Sequence, residues 1–241
     1  MRPLSDRIPK PLLEVGGKPL IVWQIEALAR AGLTDIVINA AHLADRLVSA
    51  LGDGAAFGVR LRWSLEAEAL ETAGGIATAA PLLPDGPALI VSGDIFTAFD
   101  YAPLVARAQA MACVATPPRV HLVMVPNPSY HPDGDFTLSG PSSRAPSQSG
   151  APARVGLRAA APRASGAACH TFGNIGVYDM TLFRELPRGT KLKLLPFFER
   201  WIAAGLVSGE LFRGRWVNVG TPDELASLDA LLRHNDIANS T

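Results

Sequence analysis

The sequence has few cysteines, few aromatic residues and no excess charge of either sign. Its 241 residues include two cysteines, Cys113 and Cys169, which lie far apart and lack metal-ligand spacing. Lys plus Arg and Asp plus Glu both total 22, so no net field favours nucleic acid or an anionic membrane. No apolar run approaches the roughly 20 residues that span a bilayer, and the N-terminus lacks the apolar region of a signal peptide. We therefore expect a reduced, cytoplasmic protein that binds neither nucleic acid nor membrane.

Hydrophobic residues make up 48% of the chain, enough for one large α/β domain or two small ones. Short apolar runs that predict strands alternate with segments of helical periodicity. Such alternation indicates βαβ units, and hence a doubly wound, mostly parallel sheet with ligands at the carboxyl ends of its strands. The predicted strands cover 35–40, 59–65, 88–92, 120–125, 174–178, 207–212 and 216–219. The predicted helices cover 18–31, 43–51, 74–83, 104–111 and 192–204, with a last helix from 222.

Residues 139–168 differ from the rest in composition, because they are rich in Ser, Ala, Pro, Gly and Arg without apolar periodicity. This composition predicts a disordered or mobile surface insertion, of which 141–167 could be replaced by a short turn. A basic lid or an interaction tail is the alternative.

Two short motifs carry residue types suited to phosphate chemistry. Asp94 follows the apolar run ALIVSG, where a carboxylate at a strand end could hold hydrated Mg²⁺ beside phosphate oxygens. A turn residue is the alternative. Lys10 lies between Pro9 and Pro11, which stiffen the backbone and could hold its ammonium as a fixed charge for reacting phosphates. A solvated loop lysine is the alternative.

Three further positions are weaker candidates. Glu71–Ile76 (ETAGGI) precedes a predicted helix, where glycines allow close backbone approach and a helix N-terminus favours a phosphate or a base carbonyl. Asn218 ends the last predicted strand and could be an oxygen ligand or a turn former. Lys193, on the predicted 192–204 helix, could face a pocket or solvent.

Taken in order, these motifs make the chain resemble the sugar-phosphate nucleotidyltransferase family, closest to the N-acetylmuramate-1-phosphate uridylyltransferases of cell-wall recycling. The resemblance extends over nearly the whole chain and implies a single nucleotidyltransferase domain over 1–241. The segments that carry it are MRPL, IPKPLLEVGGKPLI, LETAGGI, SGDI, GDF, NIGVY, LKLLPFF, SGELFRGRW and WVNVGTP.

The resemblance implies a reaction and a role for each matching residue. A sugar 1-phosphate would attack the α-phosphorus of a nucleoside triphosphate and release pyrophosphate, with Mg²⁺ as cofactor and no covalent enzyme intermediate. Catalysis would rest on positioning and charge neutralisation. We expect a monomer or a homodimer. The implied sites are Lys10 and Asp94 for catalysis; Arg2, Lys10, Glu71, Thr72, Ala73 and Gly74 for the nucleotide; Asp135, Asn174 and Lys193 for the sugar phosphate; and Asp94 and Asn218 for the metal.

The chain departs from the family pattern at two places. The family has an apolar strand and a glycine-rich loop, roughly L-A-A-G-x-G-x-R, just before the segment that resembles MRPL. We therefore expect Met1 to be an internal methionine, and Arg2 cannot simply take the role of the family arginine. Asn218 stands where the family has aspartate, which keeps an oxygen ligand but removes one negative charge.

Other functions remain open on the sequence alone. Within the family, the alternatives are a mannose-1-phosphate guanylyltransferase or a glucose-1-phosphate thymidylyltransferase. A different class of function is a non-catalytic protein that binds nucleotide sugars. Pyrophosphate release with Mg²⁺ would separate an enzyme from such a binding protein.

Overall fold

A computed structural model describes residues 1, 3–113, 118–140, 153–158 and 168–239, with side chains described up to residue 234 in the last helix. The helices are α1 (Leu20–Arg30), α2 (Ala44–Leu51), α3 (Glu71–Ala79), α4 (Ala102–Ala112), α5 (Thr181–Arg184), α6 (Leu195–Ala203) and α7 (Pro222–Asn239). The strands are β1 (Glu14–Val15), β2 (Lys18–Pro19), β3 (Asp35–Ala40), β4 (Arg60–Leu65), β5 (Pro87–Val91), β6 (Ile95–Thr97), β7 (Val120–Val125), β8 (Phe136–Ser139), β9 (Ala153–Leu157), β10 (Cys169–Asp179), β11 (Val207–Leu211) and β12 (Trp216–Asn218).

The chain divides into two compact units, each assembled from separate stretches of sequence. Unit 1 contains Met1–Ala69, Ser92–Tyr101 and Arg215–Thr241, and unit 2 contains Leu70–Val91 and Ala102–Gly214. The prediction that 1–241 is a single domain stays a prediction.

Unit 1 contains three strand pairs and two apolar clusters. The pairs are antiparallel β1–β2, parallel β3–β4 and antiparallel β6–β12. Helix α1 contributes to both clusters: Ile21, Val22 and Ile25 pack with β3, α2 and β4, whereas Leu20 packs with residues of β6 and α7. One amphipathic helix therefore links the βαβ part of the unit to the strand pair β6–β12.

Unit 2 is built on a six-stranded sheet in the order β5-β10-β7-β11-β9-β8, with a further pairing of β10 and β8. Strand β7 is buried at every position, in line with its apolar sequence, in which His121 is the one polar residue. The main cluster of the unit joins β7 to buried side chains of α3, α5 and α6, including Phe183, Phe198 and Trp201.

The chain is an α/β protein as predicted, but the prediction of a mostly parallel sheet is wrong. Within the described residues only β3–β4 and β7–β11 pair in parallel. Strands β5, β7 and β11 do share one direction, and α4 lies between β5 and β7 along the chain. Strand β10, however, lies between β5 and β7 and is antiparallel to both. The alternation of strands and helices along the chain predicts the direction of β5 and β7. It does not predict which strand lies between them in the sheet.

The prediction of disorder over 139–168 is also wrong for part of that range. Residues Ala153–Leu157 form β9, which pairs antiparallel with β8 and with β11. Ala153 and Val155 are buried in the main cluster of unit 2, since alternate residues of the strand point inward. Residues 141–152 and 159–167 lie outside the described residues.

Two helix starts differ from the prediction. Helix α3 begins at Glu71, so that residue lies in its first turn. Helix α6 begins at Leu195, which leaves Lys193 before the helix and not on it. Pro196 accounts for this, because its ring and missing N–H are tolerated only in a first turn. The start of α7 is confirmed: Thr221 Oγ1 accepts a hydrogen bond from Glu224 N, and Glu224 Oε2 accepts from Thr221 N.

Candidate active site

In unit 1, Asp94 and Lys10 lie together. Asp94 follows β5 by three residues and accepts a hydrogen bond from the Ser92 hydroxyl at Oδ1, 2.9 Å away. The Lys10 ammonium lies 3.7 Å from Asp94 Oδ2. Lys10 begins a short 3₁₀ turn between Pro9 and Pro11, which limits the backbone freedom of this loop. A half-buried carboxylate thus lies beside a positive charge on a stiffened loop.

Asn218 reaches the same region through strand pairing. In the antiparallel pair β6–β12, Asn218 is in register with Ile95, the residue after Asp94. Val219 N also donates to the backbone oxygen of Asp94 at 3.3 Å. The carboxylate and the side-chain amide therefore come from adjoining backbone positions 124 residues apart in sequence.

This donor set fits a magnesium ion held jointly with phosphate oxygens and water. Mg²⁺ prefers oxygen ligands and is usually bound through one or two carboxylates together with substrate phosphates. Asp94 would supply one carboxylate, and Asn218, on the strand paired with β6, would supply an amide oxygen. No group of three or more His, Cys, Asp or Glu side chains suited to a metal occurs within the described residues.

Sequence reasoning missed two polar residues that support this site. The strand-end motif draws attention to Asp94 and not to Ser92, yet the Ser92 hydroxyl orients the carboxylate. Gln24 lies on α1 and is buried, although it is polar. A glutamine within the apolar pattern of a helix was the only signal for the second residue.

In unit 2, the loop predicted to contact the nucleotide forms the first turn of α3. Glu71 has a positive φ of 61°, which is unusual for a non-glycine residue, and Glu71 and Thr72 are exposed. Ala73 N and Gly74 N donate to Leu192 O at 3.0 and 3.2 Å. These two amides are therefore already bonded within the protein, and the expectation that Ala73 and Gly74 line the nucleotide site stays a prediction.

Asn174 lies within a β-bulge of β10, and Asp135 bonds the backbone at one end of that bulge. The pairing of β10 with β7 shifts register between Phe172 and Ile175, and Asn174 within this bulge has a φ of 56°. Asp135 Oδ2 accepts a hydrogen bond from Phe172 N at 2.8 Å, and Oδ1 lies 3.0 Å from His131 Nε2. Asp135 thus holds the backbone that leads into Asn174.

The remaining predicted residues fall in different places. Lys193 is exposed and follows Leu192, which is bonded to α3. Arg2 lies outside the described residues. In the part of the chain that the structure describes, no helix is long and apolar enough to cross a membrane.

A lysine beside a carboxylate in an α/β chain suits an enzyme that binds phosphates and a divalent metal, and sequence comparison gives the family. The model of the family described as nucleotidyl transferase matches residues 1–124. An N-acetylmuramate α-1-phosphate uridylyltransferase of Neisseria meningitidis serogroup B is 41% identical over 232 residues, which are 96% of this chain and 92% of the relative. The chain belongs to the nucleotidyl transferase family. It is an enzyme of the class that transfers nucleotidyl groups to sugar 1-phosphates, and the family generally uses a divalent metal.

Other relatives match less of the chain or share the fold alone. A mannose-1-phosphate guanyltransferase of Debaryomyces hansenii is 39% identical over 107 residues, 43% of this chain and 30% of the relative. A Bacillus anthracis structure in complex with sucrose superposes with a TM-score of 0.76 at 19% identity, covering 97% of this chain and 90% of the other. HddC of Yersinia pseudotuberculosis complexed with GMP-PN superposes with a TM-score of 0.67 at 15% identity, covering 96% and 93%.

Proposed function

We propose that this protein transfers a uridylyl group from UTP to N-acetylmuramate 1-phosphate, giving a nucleotide sugar and pyrophosphate. The observation that carries the proposal is the 41% identity to the N. meningitidis uridylyltransferase over nearly the full length of both chains. The guanyltransferase relative matches less than half of this chain, so guanylyl transfer is the weaker candidate.

In the proposed reaction an oxygen of the sugar phosphate forms a bond to the α-phosphorus of UTP. The bond from that phosphorus to the bridging oxygen of the β-phosphate breaks, and pyrophosphate leaves with the electron pair. Both reactants are anions, so neutralising charge and holding the reactants in line are the main tasks of the protein. Mg²⁺, when bound, would withdraw negative charge from phosphate oxygens.

Each candidate residue takes a role that its position supports. Asp94 and Asn218 would supply oxygen ligands to the metal, and Ser92 would orient the Asp94 carboxylate. Lys10 would exchange its ion pair with Asp94 for a contact with the phosphates. This exchange is feasible because the 3.7 Å pair is partly exposed and hence weak.

The unit 2 residues would bind the two substrates. Glu71 and Thr72 would contact the nucleotide through exposed groups at the start of α3. Asn174 and Lys193 would contact the sugar phosphate, and Asp135 would hold the bulge that presents Asn174. The cytoplasmic location and the monomeric or homodimeric state stay predictions.

The test is pyrophosphate release by the purified chain, with UTP, GTP and dTTP each combined with N-acetylmuramate, mannose and glucose 1-phosphates. We expect UTP with N-acetylmuramate 1-phosphate to give the highest kcat/KM, and Asp94→Asn to abolish turnover. Asp45→Asn, which removes an exposed carboxylate on α2 of the same unit, is the matched control and should keep wild-type rates. A higher kcat/KM for another pair would refute the proposed substrates. Nucleotide-sugar binding without turnover of any pair would favour a non-catalytic binding protein.

A further inference from the structure

Thr78 on α3 joins the helix to a distant stretch of unit 2. Its hydroxyl donates to Gly74 O at 2.8 Å, one helical turn earlier, and accepts a hydrogen bond from Gly189 N at 3.0 Å. The first bond is common for threonine in a helix. The second crosses 111 residues of sequence and fixes the turn that precedes Lys193.

Three further hydrogen bonds attach the same stretch to the start of α3. Leu192 N donates to Leu70 O at 3.0 Å, while Leu192 O accepts from Ala73 N and Gly74 N. Together with the Thr78 bond, these contacts give the stretch 189–192 attachments at both of its ends. Four hydrogen bonds of this kind specify both the position and the direction of the backbone that leads into Lys193.

The stretch also lies directly against the helix backbone. A Cβ atom at Gly74 would lie 2.1 Å from Thr190 O and 3.1 Å from Leu192 N, so no side chain fits there. Glycine at this position therefore allows the close approach that the hydrogen bonds require. The residues that start α3 and the residues before Lys193 thus form one packed body.

We infer that Thr78 is a positioning residue for Lys193, and through it for the sugar 1-phosphate. The inference rests on the proposed role of Lys193 in binding that substrate. Thr78 itself is half-buried on α3 and is not among the residues proposed to touch either substrate. Without its hydroxyl the Gly189 amide loses its acceptor, and the stretch loses this attachment at its Gly189 end.

If Thr78 positions Lys193, its substitution should change the KM of the sugar 1-phosphate and not that of the nucleotide. Thr78→Val keeps the shape of the side chain but removes the hydroxyl. Loss of one such hydrogen bond changes an equilibrium constant by roughly three- to tenfold. We expect the KM for the sugar 1-phosphate to rise by this factor, while the KM for the nucleoside triphosphate stays within about twofold. Thr78→Ser retains the hydroxyl and should restore a wild-type KM.

The experiment is a double-mutant cycle with Thr78→Val and Lys193→Ala, read as KM for each substrate at saturation with the other. Thermal melting checks that each variant is folded. If Thr78 acts through Lys193, Thr78→Val raises the sugar-phosphate KM in the wild-type background but adds little in Lys193→Ala. Thermal destabilisation with no change in that KM would show a purely structural role and overturn the inference.

The remaining outcomes separate this inference from the proposed function. Full additivity of the two substitutions, or equal rises in both KM values, would also overturn it. If Lys193→Ala alone leaves the sugar-phosphate KM unchanged, the proposed role of Lys193 fails and the inference fails with it. If the wild-type chain turns over no substrate pair, the proposed function itself fails.

Discussion

Gln24 on α1 donates a hydrogen bond from Nε2 to the backbone oxygen of Ile95, 2.9 Å away and one residue beyond Asp94. The Tyr101 hydroxyl in turn donates to Gln24 Oε1 at 2.5 Å. Gln24 is 3% exposed and Tyr101 is 1% exposed, so neither group can exchange its partner for water. This buried chain of hydrogen bonds anchors the start of β6, and with it the backbone that carries the proposed metal ligand.

We expect Tyr101→Phe to lower the free energy of unfolding by about 1–3 kcal/mol, because it leaves the buried Gln24 Oε1 without a donor. The substitution should also raise the Mg²⁺ concentration needed for half-maximal turnover, since the strand beside Asp94 is less firmly held. Urea unfolding and a Mg²⁺ titration of pyrophosphate release measure the two effects. Unchanged stability would show that the hydrogen bond from Tyr101 contributes nothing.

Asn218→Asp should lower the Mg²⁺ concentration required for half-maximal rate by several-fold. The substitution adds a negative charge next to Asp94 and gives the metal a second carboxylate. Asn39→Asp is the control, since it adds the same charge on β3. The side-chain amide of Asn39 donates a hydrogen bond to Glu66 and not to the Asp94 region. An unchanged Mg²⁺ requirement in Asn218→Asp would exclude Asn218 from the metal site.

His121 should make the protein sensitive to acid. Its side chain is fully buried on β7, Nδ1 lies 2.8 Å from Ser208 Oγ, and the buried Nε2 has no hydrogen-bond partner among the described residues. Burial, with a smaller contribution from the positive charge of Arg107, lowers the pKa of His121 from 6.5 to about 3. The folded state therefore keeps this imidazole neutral over a range where the unfolded chain binds a proton.

The sign of the effect follows from this difference. Below about pH 6.5 the unfolded state gains a proton that the folded state excludes, so the free energy of unfolding falls as pH falls towards 3, by up to about 1.4 kcal/mol per pH unit. His121→Leu should remove this component, whereas His42→Asn, at an exposed histidine, should not. Urea unfolding at several pH values between 4 and 8 measures the slope. Identical slopes in wild type and His121→Leu would disprove the assignment.

Burial raises the pKa of Glu210, whose Oε1 lies 4.0 Å from His121 Nε2, and this shift acts in the opposite direction. The folded state retains that proton more tightly than the unfolded state, so its contribution to stability is lost as pH rises through the folded pKa. The variant Glu210→Gln separates the two contributions to the pH dependence of stability. It removes the titration of the carboxylate and leaves that of His121.

Strand β9 should contribute measurably to stability. Val155→Ala removes two buried methyl groups from the core of unit 2 and should cost about 2 kcal/mol, while the exposed Arg154→Ala on the same strand should change little. Replacing 141–167 by a short turn removes the whole strand, so we expect a loss larger than that of Val155→Ala. Chemical unfolding of the three variants gives the comparison. A wild-type stability for the replacement would show that β9 is dispensable.

The elements that were predicted best are those whose position depends on the local sequence pattern. Strands β3 and β7 are short runs rich in β-branched and other apolar residues and match their predicted bounds, and the capping residues at Thr221 mark the start of α7. Strand β9 escaped prediction because its sequence ARVGL lies in a Ser- and Ala-rich stretch. Its stability comes from pairing with β8 and β11, which no local window contains.

The same distinction applies to the residues of the candidate site. Lys10 and Asp94 stood out by their proline and glycine neighbours. Spacing alone could not place Asn218 next to Ile95, the residue after Asp94, since that proximity depends on the pairing of β6 with β12. The Thr78–Gly189 bond was equally hidden, because a threonine within a helix gives no signal of a partner 111 residues away. The Gly-Gly pair predicted that the backbone comes close to a ligand. In the structure, Gly74 comes close to the protein's own backbone at Thr190.

The pairing of β6 with β12 also sets an order on biosynthesis. Translation delivers Asn218, and the strand that carries it, more than a hundred residues after Asp94, since 218 minus 94 is 124. Until β12 has been synthesised, the nascent chain lacks the partner strand of β6, and the three residues proposed to bind metal and phosphate cannot assemble. Translation products that terminate before β12 should therefore lack this site.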